Sequence, residues 1–404
     1  MKTYRFACVG VGGYAANYFR ALSSHFHSGR IRVVAAADPR PPENADALLE
    51  GVRLTSSSLF ADYREMFTAH PEIDAVVVGT PISFHEQITV EAVERGFDVL
   101  CAKPATTTVQ SIDTMIGAAE RTGKTVLVDF QHVYSDATQR IKQSISDGSL
   151  GRVQNVVIKT VWQRNDRYFR RNPGAGRAVL DGRYVLDGPL SNPHAHYIMN
   201  ALYFSHPERF SFASPTSVQA ELYRCRDIQC EDTACVRCLT DTGVEILMYS
   251  TLCGCDEEPW TEIEVVAENG TAKWQFTEFE IETKDGGVQK ESVERATSSL
   301  VVETFLNVLD GDGRSLVGLS DSRNHVLFTN GAYESAREIT PIDSQYLELN
   351  EGGDTGVRCI KGIKETVANC AKQRCLFSEY GVPWAQAAGV PFSMDGYSRF
   401  SVFG

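Results

Sequence analysis

Strand-like runs with no polar face alternate with helical spacings through the first 130 residues, and that alternation limits the possible folds more than any other feature. Segments 4–10, 31–37, 73–79, 97–101 and 125–130 read as strands, and 14–26, 63–69, 84–95 and 109–121 as helices. In the first helix Ala15, Tyr18, Phe19, Leu22 and Phe26 share one stripe, and Gly29 follows as its stop. Strands apolar on both faces and separated by helices run parallel, joined by right-handed crossovers. The expectation is an α/β domain over residues 1–130, a doubly wound parallel sheet.

Beyond about residue 150 the pattern becomes α+β. Segments 153–162, 217–223, 233–239, 244–251, 261–267 and 271–276 are strand-like, with turn signals at Asp241-Thr242-Gly243 and Glu268-Asn269-Gly270. They predict a large, mostly antiparallel open sheet, with helices at 193–204, 297–309, 321–339 and 356–373. Residues 131–404 are expected to form this second domain, for substrate binding and oligomerisation. Its end, 356–404, is read as a helix and an aromatic tail that packs rather than dangles, because disordered tails are poor in aromatics.

Charge excludes several function classes. Lys and Arg number 39 against 52 Asp and Glu, a net charge of −13, which disfavours nucleic acid and anionic membrane surfaces as partners. No apolar run approaches the roughly 18 residues that cross a bilayer. Glycines 10, 12 and 13 interrupt the first apolar stretch, so no secretion signal is expected. Eleven scattered cysteines then read as free thiols in a reducing cytoplasm. Cys235 and Cys238 have a zinc-like spacing, but on a strand they point to opposite faces, so no metal is expected.

Gly10-Val11-Gly12-Gly13-Tyr14-Ala15 follows the first strand and opens the first helix. That sequence suits a Rossmann phosphate-binding turn, in which glycines permit the turn and the close approach of a pyrophosphate to the helix N-terminus. Asp38 ends the next strand, where a carboxylate accepts from a ribose diol and repels a 2′-phosphate, so NAD is favoured over NADP. Arg40, two residues on, argues the other way. Thr80-Pro81 with His85, and Lys103-Pro104, fall at the carboxyl ends of later strands, the edge where ligands sit in such sheets.

Together with the stretch 139–153, these motifs resemble the Gfo/Idh/MocA oxidoreductases, in order and spacing over most of residues 4–340. The resemblance implies a Rossmann domain followed by an open-sheet domain that packs in a homo-oligomer (dimer, tetramer or larger). It also implies NAD(P)-dependent oxidation or reduction at one carbon of a sugar, glycoside, cyclitol or related polyol. The family's Glu-Lys-Pro aligns with Ala102-Lys103-Pro104, and its Asp-x-x-x-His with Asn192-Pro193-His194-Ala195-His196. Lysine and histidine are kept and both acids are replaced. His196 is expected as the general base, and Lys103 as the donor to the reacting oxygen that also helps place the nicotinamide. Asn192, His196 and Asn200 recur at helical spacing, although Asn192-Pro193 equally reads as a helix N-cap and first residue. His194 points elsewhere on that helix. His132, Tyr134, Trp162, Arg164, Asn165 and Arg167 are candidate substrate contacts, an indole face beside polar groups suiting a pyranose. Two alternatives stay open: redox-assisted glycoside cleavage through a transient 3-keto sugar, and cofactor binding without turnover.

Overall fold

The computed structural model describes residues 2–294, 297–311, 313–314, 317–350 and 352–403. Contacts divide the chain into two compact units, and not at a single cut after residue 130. The first comprises Met1–Thr106, Gln110–Tyr134 and Ala296–Arg323, and the second Thr107–Val109, Ser135–Arg295 and Asn324–Gly404.

In the first unit the chain runs β1 (Tyr4–Val9), α1 (Ala15–Ser24), β2 (Ile31–Ala37), α2 (Ala45–Gly51), β3 (Leu59–Phe60), α3 (Tyr63–Ala69), β4 (Ala75–Val78), α4 (His85–Glu94), β5 (Asp98–Ala102), α5 (Val109–Thr122) and β6 (Val126–Asp129). The sheet order is β3-β2-β1-β4-β5-β6, and every pairing is parallel. Continuous burial along β4 and β6 matches their lack of a polar face. The order reverses between β1 and β4, so their carboxyl ends open the crevice where doubly wound sheets bind ligands. A late segment completes this unit. Helix Ser298–Leu309, α8 in chain order, packs on α1, and its Phe305 meets Phe6 edge to face at 6.1 Å. Its following Asp310 accepts from Tyr4 and Arg30.

The second unit begins with α6 (Asp136–Ser146), capped by Ser135, whose hydroxyl accepts from the Thr138 N–H. Then come β7 (Val153–Val161), the short hairpin β8 (Val179–Leu180) and β9 (Arg183–Tyr184), and α7 (Ala195–Phe204). β10 (Pro215–Arg224), β11 (Thr233–Thr240), β12 (Glu245–Thr251), β13 (Trp260–Ala267), β14 (Gly270–Trp274), β15 (Glu278–Thr283) and β16 (Val288–Ser292) follow. The main sheet is ordered β16-β15-β14-β13-β7-β12-β11-β10-β17, with β17 (Thr340–Pro341) at one edge and β20 (Phe392–Ser393) pairing β10. Pairings are antiparallel except β7 with β12 and β10 with β17. The predicted architecture is therefore observed.

β13 alternates buried and half-buried residues along its length, as a sheet with two different faces requires. Helix α7 packs on one face, against β7 and β13. On the other, α10 (Ile363–Gln373) and the aromatic segment after it bury Val367, Phe377 and Trp384 against Val157, Tyr223 and Tyr249. The tail thus packs, as expected. After α9 (Leu319–Ala336), the helix expected at 356–373 is shorter, because β19 (Val357–Ile360) pairs with β18 (Leu347–Asn350) in a small antiparallel sheet before α10 starts. No helix among the described residues is long and apolar enough to cross a membrane.

Candidate active site

In the first unit the glycine turn joins β1 to α1. Gly10 sits at φ +93°, and a Cβ there would lie 2.9 Å from the Gly79 carbonyl oxygen, so both conformation and space demand glycine. Gly79 in turn faces Ala15, where a Cβ would meet the alanine Cβ at 2.9 Å. That pair sets how closely α1 approaches the sheet. The space beside Gly13 is open for 4 Å, and no side chain caps α1. Val11 is fully buried, while Tyr14 projects outward and donates to Gln131 at 3.1 Å.

Asp38 turns back onto this loop. Its carboxylate accepts from the Val11 N–H at 2.9 Å and from the Arg40 N–H at 2.9 Å, while the Arg40 side chain stays exposed. At the end of β4 the Thr80 hydroxyl oxygen is buried with no hydrogen-bond partner among the described residues, and Pro81 is exposed. An open glycine turn, an uncapped helix start, a fixed carboxylate and an orphaned hydroxyl fit a dinucleotide.

His85 is buried. Its Nδ1 lies 3.0 Å from the Pro104 carbonyl oxygen and its Nε2 2.7 Å from that of Thr80. The ring therefore ties the end of β4 to the loop after Lys103 and is enclosed rather than presented to a ligand. Burial holds its pKa below the ordinary imidazole value, so the ring favours its neutral form, which donates to one of the two carbonyls. Lys103 is partly exposed and leads into a cis peptide to Pro104. His132 and Tyr134, expected to touch substrate, are buried, and the Tyr134 hydroxyl accepts from the Val317 N–H at 3.2 Å.

Sequence reasoning missed Asp129. Ala102, the residue before the lysine, pairs in register with Asp129 at the end of β6. The carboxylate is fully buried, and its Oδ2 accepts from Tyr18 at 2.8 Å and Ser298 at 3.1 Å. A polar residue closing the apolar run Val126-Leu127-Val128 was the available signal, the same kind that singled out Asp38.

In the second unit Trp162 follows β7. Its indole N–H donates to Thr261 at 2.7 Å, its ring meets His194 edge-on at 4.7 Å, and the Arg164 guanidinium lies over it at 4.6 Å. Asn165 accepts from the Tyr168 N–H, and Arg167 is exposed. His196 lies in the first turn of α7, 7% exposed. His194 instead turns to the sheet, with Nδ1 at 2.7 Å from Ser250 and 3.1 Å from Thr160. Asn192 is not the helix cap: α7 is preceded by His194, and the Asn192 amide donates to Asp187 at 2.8 Å. Asn200 donates to Thr138 on α6.

Cys235 belongs to the core beneath α10, and Cys238 lies outside it, as strand alternation requires. Among the described residues, one group brings possible metal ligands together elsewhere. Ligand atoms of Cys225, Asp232 and Cys253 come within 4.8 Å of one another, but the Arg226 guanidinium donates to Cys253 at 3.2 Å and stands 3.7 Å from Asp232. A fixed cation there disfavours a metal ion.

The parallel sheet, its switch point and the glycine turn define a Rossmann fold of the dinucleotide-binding class. Residues 4–130 match the oxidoreductase family with an NAD-binding Rossmann fold, Gfo/Idh/MocA. An inositol 2-dehydrogenase of Mycolicibacterium vanbaalenii is 30% identical over 273 residues, 67% of this chain and 72% of that protein. The D-glucoside 3-dehydrogenase of Escherichia coli is 28% identical over 204 residues, about half of each chain (49% and 53%). Among solved structures, the WlbA dehydrogenase of Bordetella pertussis, in complex with NADH and UDP-GlcNAcA, superposes with a TM-score of 0.69 at 22% identity. That match covers 85% of this chain and all (100%) of the other. The chain belongs to the Gfo/Idh/MocA family.

Proposed function

We propose that the protein is an NAD-dependent dehydrogenase of a secondary hydroxyl, or the matching ketone, in a sugar, glycoside or cyclitol. The observation that carries this reading is a cofactor crevice with a lysine at its edge, in a chain 30% identical to an inositol dehydrogenase over most of that enzyme's length. Bound nicotinamide supplies the hydride acceptor or donor. Gly10, Gly12, Gly13 and Ala15 form the phosphate turn, Asp38 receives the ribose, and Thr80 turns its hydroxyl to the cofactor. Asp38 favours NAD over NADP, since a 2′-phosphate would meet its charge.

Lys103 donates to the reacting oxygen and stabilises its developing charge, and His196 takes the hydroxyl proton. Trp162, stacked under Arg164, offers an apolar surface with a charged rim to a pyranose or cyclitol ring, and Arg167 adds a second cation. Asn165 and Asn192, each held by a hydrogen bond within the second unit, shape that surface. We keep a homo-oligomer within the reading. Because α10 covers the middle of one sheet face, association would use the charged stretch β13–β15, with Glu264, Lys273 and Glu280. A reducing, cytoplasmic setting suits eleven free thiols.

The test is formation of reduced nicotinamide against a panel of inositols, hexoses and methyl glucosides. Lys103→Ala and His196→Ala should each lower turnover by about 10²- to 10⁴-fold while NAD still binds. Undiminished turnover in either variant refutes the assigned role. Cleavage of a glycoside with no net reduced cofactor would replace dehydrogenation by the redox-assisted alternative.

A further inference from the structure

At the carboxyl edge of the first unit's sheet, an acid takes a place that the lysine motif leaves empty. Ala102 contributes only a methyl group next to Lys103. Its in-register neighbour across the β5–β6 pairing is Asp129, so a carboxylate stands one strand away from the lysine's own strand end. Two elements hold it. Tyr18 from α1 donates to Oδ2, and Ser298 from α8 offers its one hydroxyl proton to Oδ2 at 3.1 Å, with the Gln131 oxygen as the more distant acceptor at 3.4 Å; Gln131 accepts from Tyr14 instead. This fixes the carboxylate's orientation by hydrogen bonds to one oxygen only. The other oxygen, Oδ1, is buried with no hydrogen bond among the described residues. A fully buried carboxylate oxygen left without a donor is costly, and an ammonium is the group that compensates it best.

We propose that Asp129 is the positioning residue for Lys103, a buried carboxylate that holds the ammonium charged and aimed at the ligand crevice. The inference rests on the functional reading above, because it gives Lys103 its donor role. It adds a residue that acts on substrate only through the lysine.

The titratable groups around the pair agree with this. Burial raises the Asp129 carboxyl above the ordinary range, and the hydrogen bonds from Tyr18 and Ser298, then the charge of Lys103, pull it back down. By reciprocity the carboxylate makes the Lys103 proton harder to lose. Tyr18 is pushed well above the ordinary phenol value, first by burial and then by the Asp129 charge, so it stays a donor. Tyr14 is likewise raised, and Cys101 is pushed up to about 12, so neither competes as an anion. His85, whose Nδ1 lies 3.0 Å from the Pro104 carbonyl oxygen, is kept toward neutrality by burial and, to a smaller degree, by the lysine's own charge.

The experiment reads Lys103 directly and needs no substrate. Lysines of the full chain are reductively methylated with ¹³C-formaldehyde, and their methyl resonances are titrated by NMR. The Lys103 peak is identified by its loss in Lys103→Arg. In Asp129→Asn, which keeps an oxygen for Tyr18 and Ser298, the Lys103 pKa should fall by about one unit or more. Tyr18→Phe serves as the second variant if Asp129→Asn does not fold. It weakens the carboxylate's ionisation and should lower the Lys103 pKa in the same direction by a smaller amount. A Lys103 titration unchanged within about 0.2 units in the folded variant overturns the proposal. The dehydrogenase reading can fail without affecting this readout, since it fails when Lys103→Ala retains turnover. Where turnover is measured, Asp129→Asn should lower kcat about tenfold or more in the wild-type background and have no further effect in Lys103→Ala. An equal loss in both backgrounds would make Asp129 merely structural.

Discussion

Glu231 gives the sharpest quantitative expectation. The residue is 1% exposed in the second unit, its Oε1 accepting from the Leu190 N–H at 3.3 Å and its Oε2 facing the Tyr333 hydroxyl. Gly188 leaves the space it needs, since a Cβ there would overlap the carboxyl group. Burial pushes the Glu231 pKa up to about 7, against the hydrogen bond from Tyr333. Because the folded value lies above the unfolded one, the folded chain binds the extra proton between about pH 4.5 and 7. The stability this contributes is present below the unfolded pKa and is lost as pH rises through about 7. A shift of this size corresponds to about 3 kcal/mol. Glu231→Gln removes the titration and keeps the shape. The variant's stability relative to wild type should therefore rise by about 3 kcal/mol between pH 4.5 and 8.5, roughly 6 °C in the melting temperature of this unit. Calorimetry at a series of pH values measures it. A stability difference that stays constant across that range would refute the assignment of a neutral, buried carboxyl.

Other substitutions test the parts separately. Gly79→Ala should push α1 away from β4, because the new methyl would lie 2.9 Å from that of Ala15; the expected cost is about 1–3 kcal/mol with weakened NAD binding, read by thermal melting and by fluorescence titration. Asp38→Ser should raise NADP affinity relative to NAD about tenfold or more, and an unchanged ratio would remove Asp38 from the ribose site. Lys142 is fully buried and donates to the carbonyls of Tyr203, in the last turn of α7, and His206, just after it; Lys142→Met leaves them without that donor and should cost about 3 kcal/mol by denaturant unfolding.

The first unit was legible because its strands carry their signal in composition alone. A strand buried on both faces needs no register to be recognised, and Ile31–Ala37 and Tyr63–Ala69 have the predicted bounds. The second unit hid its edge. Val288–Ser292 is polar and largely exposed, so nothing in its residue types separates it from a loop. The return of 296–323 to the first unit was equally hidden. Its helix has an ordinary apolar stripe, and only tertiary contacts such as Phe305 on Phe6 decide which sheet that stripe covers.

Local signals also lost to tertiary partners at the site itself. Asn192-Pro193 has the composition of a helix start, but Asp187 claims the asparagine amide while also accepting from Arg171 and from the Gly176 N–H, and the helix begins after His194. Motif spacing singled out Asp38 and Lys103 because a turn and a proline announce them on the chain. Asp129 has no such neighbour. Its meaning comes from the strand pairing that sets it beside Ala102, and a pairing between strands joined by a helix is invisible until the sheet order is known. An acid lost from one position of a motif and supplied by the adjacent strand would therefore escape any comparison made position by position, while leaving the electrostatics of the lysine intact. The measurable consequence lies in how Lys103 titrates, and there sequence pattern and structure make opposite claims: a lysine without its acid, or one with its acid on the next strand.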